Sequence, residues 1–127
     1  MSERTLQKEI IRSLQKLGFL VAHVPNESAY VKQRIANSHA GILPGFPDLI
    51  VLGKAGFKAL IEVKTRDGKL SSVQNNLHER LYEMEHVVHI IYGLEHAQEV
   101  INLLVVEQES HVVEQDYWNN QFPIPGK

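Results

Sequence analysis

Leu6, Ile10, Leu14 and Leu17 recur at spacings of four, four and three, which is one apolar stripe of a helix over roughly residues 3–17, with Gly18 as a suitable stop. Phe19 to Val24 is a short strand-type run ended by Pro25. Residues 25–47 hold three prolines, two glycines and several polar side chains and read as a long loop, a length that is usually functional or mobile in a compact domain. Leu49 to Leu52 is a buried-type strand, Gly53 to Gly56 a turn, and Phe57 to Val63 a second strand; the short connection predicts an antiparallel hairpin. Asp67-Gly68 marks another turn. Ser71 or Ser72 then caps a helix over about residues 72–85, with Val73, Leu77, Leu81 and Met84 on one face. Val87 to Tyr92 reads as a central strand and Leu94 to Val106 as a final helix. His111 to Val113 reads as a short edge strand, and the last ten residues, with Pro123 and Pro125, as an irregular tail. The order α-β-β-β-α-β-α predicts an α/β sandwich around a mixed sheet of about four strands.

Composition narrows the chemistry. A chain of 127 residues that is 43% apolar suits one domain with one core. There is no cysteine, so a disulfide scaffold, a thiolate zinc site and a cysteine nucleophile are all excluded, as fits a reducing compartment. The charged start MSERTLQKEI and the lack of an apolar run of about 18 residues predict neither a signal peptide nor a membrane span. The seven histidines form no recognised metal motif; His86 and His89 are three apart at a helix–strand junction and His78 stands separately. Neither a Walker-type loop nor G-x-G-x-x-G is present, so no nucleotide cofactor is expected. There is no internal repeat.

The net charge of −2 hides an asymmetry. Residues 31–70 carry seven Lys/Arg against three Asp/Glu, whereas residues 71–127 carry two against nine. A local basic surface steers a polyanion even on an acidic molecule. Within it, Asn26, Tyr30, Lys32, Gln33 and Arg34 are candidate DNA-backbone contacts, with Tyr30 able to stack, and His39 lies in the same loop. Lys54, Lys58, Arg66 and Lys69 flank the hairpin as candidate phosphate contacts. Tyr117 and Trp118 read as packing or interface residues.

The hairpin carries the chemistry. Asp48 opens its first strand, directly after Pro47; Glu62 and Lys64, two residues apart, share one face of the second. That strand is otherwise apolar, and two charges on it are costly if buried and unpaired. Spacing alone leaves two readings open. One is a Glu62–Lys64 salt bridge at a strand end. In the other, Asp48 lies across from Glu62 and the two form a hard-oxygen site for Mg²⁺ or Mn²⁺, with Lys64 beside it to position or deprotonate a water.

Pro47-Asp48 followed by Glu62-Val63-Lys64 resembles the PD-(D/E)xK nuclease superfamily. Gly45-Phe46-Pro47-Asp48-Leu49, Ile61-Glu62-Val63-Lys64 and Leu70-Ser71-Ser72-Val73-Gln74 are similar to the VRR-Nuc branch, over about residues 5–92. The resemblance implies a restriction-endonuclease-like core, a single nuclease domain over 1–106 and a C-terminal extension over 107–127, packed on that domain or at a dimer interface. It implies Asp48, Glu62, Lys64 and Gln74 as catalytic residues, and Glu9, Asp48, Glu62 and the Val63 carbonyl as metal ligands. Glu9 flanks the apolar stripe of the first helix, and Gln74 would orient Lys64 or contact phosphate. The expected function is a Mg²⁺/Mn²⁺-dependent DNA endonuclease, selective for branched DNA such as four-way junctions. It would act as a homodimer in the cytoplasm of a bacterial or phage-infected cell. The alternative is an inactive nuclease-fold module that binds DNA or assembles.

Overall fold

The computed structural model describes residues 1–25 and 43–122. Helix α1 spans Glu3–Lys16; the Ser2 hydroxyl caps it by accepting from the Thr5 N–H at 3.1 Å, and the chain turns away at Gly18, whose φ is +93°. Strands β1 (Leu20–His23), β2 (Leu49–Leu52), β3 (Lys58–Lys64) and β4 (Val88–Tyr92) form one sheet in the order β1-β2-β3-β4. The first three are antiparallel to their neighbours, while β4 runs parallel to β3. Helix α2 (Ser72–Glu83) lies in the crossover between β3 and β4, and α3 (Gly93–Gln121) follows β4 directly. The element order is the one the hydrophobic pattern predicts.

Strand alternation divides β3 into two faces. Ala59, Ile61 and Val63 join Leu49, Val51 and Ile91 in the core, against Leu6, Ile10 and Leu14 of α1 and Ala97, Val100, Ile101 and Leu104 of α3. Lys58, Leu60, Glu62 and Lys64 occupy the other face, whose Glu62 end meets α2 through Gln74 and His78. The sheet thus lies between α1 and α3 on one side and α2 on the other.

Four expectations are corrected. β4 is an edge strand rather than a central one: Ile91 is buried, but Val88, His89 and Ile90 are only half-buried. Its largely apolar run, interrupted by His89, reflects helices on both faces, not a strand neighbour on each side. On α2, Leu77 is the one buried member of the expected face; Leu81 is half-buried and Val73 and Met84 are exposed. His111 to Val113 forms no strand, because α3 continues through it for 29 residues. Two contacts fasten this part of the helix. The Lys54 N–H donates to Gln108 Oε1 at 2.7 Å, and the His111 ring packs edge-on to Phe57 at 5.4 Å. Local β propensity at Val112-Val113 is overridden by that docking. The expected tail is helical as far as Gln121, where Trp118 packs on Tyr117 and Phe122 with all three rings exposed. Among the described residues no helix is long and apolar enough to cross a membrane. Asn26, Tyr30, Lys32, Gln33, Arg34 and His39 lie outside the described residues, as do Pro123 and Pro125.

Burial along α3 falls off beyond Gln108, and stability should follow it. Leu104 is fully buried, so Leu104→Ala is expected to cost about 2–5 kcal/mol, whereas Val113→Ala on the exposed stretch should stay within about 0.5 kcal/mol. Urea unfolding of the two variants measures the difference; equal losses would contradict this packing.

Candidate active site

The hairpin register sets the geometry. Leu49 pairs with Ile61, so one step beyond the ladder Asp48 lies opposite Glu62. Both neighbouring strands hold Asp48. Its Oδ2 accepts the Val63 N–H at 2.7 Å, and its carbonyl accepts the Val24 N–H at 2.8 Å. The turn before it is fixed by close packing. Gly45 has φ +83°, and a Cβ there would sit 2.7 Å from the Val73 carbonyl oxygen. This backbone approach seats the Gly45-to-Asp48 segment on the first turn of α2.

Glu62 is 1% exposed. Gln74 Nε2 donates to its Oε2 at 3.4 Å. The same Gln74 closes a capping box: its Oε1 accepts the Ser71 N–H at 2.9 Å, while Ser71 Oγ accepts the Gln74 N–H at 3.1 Å. The Ser71-x-x-Gln74 spacing thus does two jobs, starting α2 and aiming an amide at Glu62. One helical turn later, His78 Nε2 stands 3.4 Å from Glu62 Oε1, and neither atom has a hydrogen-bond partner among the described residues.

Burial, above all, and then the hydrogen bond and charge of Asp48 push the Glu62 carboxyl up to about 9; Glu3 adds to the rise and Lys64 opposes it. Burial also lowers the His78 imidazole, with Lys64 acting in the same direction and Asp48 against it. Two adjoining carboxyls in a dry setting, with one oxygen left unpartnered, are an arrangement that a divalent cation relieves. Asp48 and Glu62 therefore fit a hard cation. Among the described residues no three His, Asp or Glu side chains converge. The protein would supply two carboxylates, leaving further positions for water and substrate oxygens, as Mg²⁺ sites commonly do.

Lys64 follows Glu62 on the same face and is half-buried; its charge acts on both Glu62 and His78. The close side-chain neighbour of Glu62 on this side is His78, and no Glu62–Lys64 ion pair forms among the described residues. The side-chain contact of Gln74 here is with Glu62. Glu9 is placed elsewhere: it pairs with Arg12 at 2.9 Å and lines a cleft with Leu94, Glu95 and Gln98 of α3. The α1 acid whose charge reaches Glu62 is Glu3. The stripe of Leu6, Ile10 and Leu14, extended back one turn, lands on Glu3, so periodicity carried that signal. His78 was also legible in principle, because it lies four residues after Gln74 and shares its helix face.

Lys54, Lys58, Arg66 and Lys69 are all exposed. Lys58 shares the Glu62 face but lies about 13 Å away by strand rise. Arg66 and Lys69 follow the Glu62–Lys64 end of β3 directly. The N-termini of three helices lie at this same end. Glu3 opens α1, Gln74 is in the first turn of α2, and α3 starts right after Tyr92, the register partner of Lys64. Their partial positive charge favours an anion there.

The VRR-NUC domain model matches residues 1–95 of the chain. No curated protein matches the sequence. Among solved structures, a VRR-NUC domain is 22% identical with a TM-score of 0.59, over 79% of this chain and 94% of its own. A VRR-NUC domain protein is 17% identical with a TM-score of 0.64, over 83% of this chain and 88% of its own. These likenesses show the fold.

The raised Glu62 carboxyl gives a stability test. The folded state holds this proton more tightly than an unfolded chain, in which it titrates near 4.5. The Glu62 contribution is therefore fully present below pH 4.5 and is lost as pH rises towards 9. Metal-free Glu62→Gln should accordingly gain stability over the wild type progressively across that interval, and added Mg²⁺ should shrink the gap by stabilising the wild type alone. Thermal melts across the pH range check this; a gap independent of pH would contradict the burial of an ionisable Glu62 beside Asp48.

Proposed function

The chain belongs to the VRR-NUC domain family, a nuclease fold, and on that footing we propose that it is a Mg²⁺- or Mn²⁺-dependent endonuclease that hydrolyses DNA phosphodiesters. The observation that carries the reading is the buried Asp48–Glu62 pair with an unpartnered Glu62 oxygen, beside Lys64.

In this reading Asp48 and Glu62 hold the cation, with the Val63 carbonyl as a further oxygen. When bound, the ion supplies Lewis acidity towards a phosphate oxygen and lowers the pKa of water. Asp48 is already locked by the Val63 N–H, so its orientation costs nothing at the moment of reaction. Gln74 fixes the Glu62 carboxylate from the α2 cap and is a positioning residue. Lys64 orients the attacking water and offsets charge gathering on the phosphate. Glu3 adds negative charge at the rim and strengthens the demand for a cation. Arg66 and Lys69 engage the DNA backbone beside the cut.

The substrate is branched DNA, and the working unit is a homodimer. No element of the described chain resembles an appended recognition helix, and the domain is small for reading sequence. A two-fold symmetric junction has two equivalent strands to cut, and a two-fold dimer presents two sites to them.

The decisive assay incubates labelled four-way junction, flap and linear duplex DNA with Mg²⁺ or Mn²⁺. Asp48→Ala, Glu62→Ala and Lys64→Ala should each reduce cleavage by about 10²-fold or more while leaving DNA binding within a few-fold. Gln74→Ala should cut more slowly than the wild type yet outperform all three. Binding with no cleavage of any substrate under either ion would establish an inactive DNA-binding module instead.

A further inference from the structure

We propose that the outer face of α3 is a docking surface for an amphipathic helix of another protein, one that carries Lys or Arg on both sides of its apolar stripe. The surface lies on a face of α3 that neither the core nor the cation site uses.

Helix α3 is apolar on two opposite sides. Ala97, Ile101, Leu104 and Gln108 are buried on one. Leu103, Val106, Ser110, Val113 and Tyr117 follow one another at alternating spacings of three and four on the other. At 3.6 residues per turn that stripe points about 150° away from the buried side. It is open to solvent: Leu103, Val106, Val113 and Tyr117 are 46%, 62%, 66% and 57% exposed. Ser110 does not interrupt it, because its Oγ donates to the Val106 carbonyl at 3.2 Å and is satisfied within the helix. The result is two heptads of a coiled-coil seam, about 21 Å long by helical rise. Trp118 and Phe122, stacked at its far end, extend the apolar surface.

The charges beside the seam decide what fits it. Glu107 and Glu114 flank one side, Glu109 and Asp116 the other, and the whole of Gly93–Gln121 contains neither Lys nor Arg. None of the four acids pairs with a cation among the described residues. Two copies joined along this seam in parallel would set Glu109 of one against Glu114 of the other, and an antiparallel pair would oppose acid to acid on both sides. The same charges repel an anionic membrane. A partner helix with Lys or Arg at its flanking positions turns each of these repulsions into an attraction while its apolar stripe covers the seam. The dimer of the catalytic reading then forms through a different surface.

The test uses the full chain without DNA and two labelled synthetic helical peptides as probes. Both carry Leu at the seam positions; one has Lys at the flanking positions and the other Glu. Fluorescence anisotropy at several salt concentrations measures binding, and sedimentation measures self-association. The Lys peptide should bind about tenfold or more tightly than the Glu peptide, with an advantage that shrinks as salt rises. The double variant Val106→Ser, Val113→Ser should weaken that binding about tenfold or more while melting like the wild type, since both side chains are exposed. The pair Glu109→Gln, Glu114→Gln should narrow the preference between the peptides. No binding of the Lys peptide, equal binding of the two, or binding that survives the double valine substitution would each overturn the proposal. So would self-association of the wild type that the double valine substitution abolishes, because a second copy would then occupy the seam.

Discussion

Two carboxyl groups placed side by side out of water are the constraint around which the rest of the fold is arranged. Asp48 and Glu62 face each other one step beyond the β2–β3 ladder, and both are buried. Burial above all, and then the hydrogen bond and charge of the neighbouring Asp48, push the Glu62 carboxyl up to about 9. Such a pair is unfavourable by itself and favourable once a cation joins it. The surrounding elements preserve the tension. The Val63 N–H pins Asp48, the α2 cap pins Glu62 through Gln74, and the Gly45 turn presses the strand entry onto α2.

The scaffold separates stability from chemistry by strand alternation. Odd-numbered residues of β3 enter the core shared with α1 and α3, while its even-numbered residues line the other face. A core built from Leu, Ile and Val can therefore sit one backbone away from two acids. The helices also begin at the Asp48–Glu62 end of the sheet, so their partial positive charges reinforce Lys64, Arg66 and Lys69 there. A chain of net charge −2 thereby offers a locally anion-attracting end, while its surplus of acids lies after residue 70.

Much of this was legible before any coordinates. The periodicity of α1, the β2–β3 hairpin and the serine cap of α2 all stand where local chemistry puts them, because each depends on residues close in sequence. The same-face placement of Glu62 and Lys64 follows from strand geometry alone. What escaped was set by distant partners. β4 reads as central because its apolar run does not say whether helices or strands cover it. Val112-Val113 reads as strand because nothing nearby in sequence reveals that Gln108 and His111 dock on the far side of the hairpin. Glu9 entered through the family pattern, and the α1 acid whose charge reaches Glu62 is Glu3, three residues before Leu6. His78 was dismissed among scattered histidines, and only the placement of α2 over Glu62 brings it to the site.

The claim on which everything else depends is that Asp48 and Glu62 share a divalent cation. Anomalous diffraction from crystals soaked in Mn²⁺ tests it most directly. The account predicts a peak about 2.0–2.3 Å from carboxylate oxygens of both residues. Full soaking with no peak at the hairpin, or with manganese only at surface carboxylates such as Glu9 and Glu95, would contradict it.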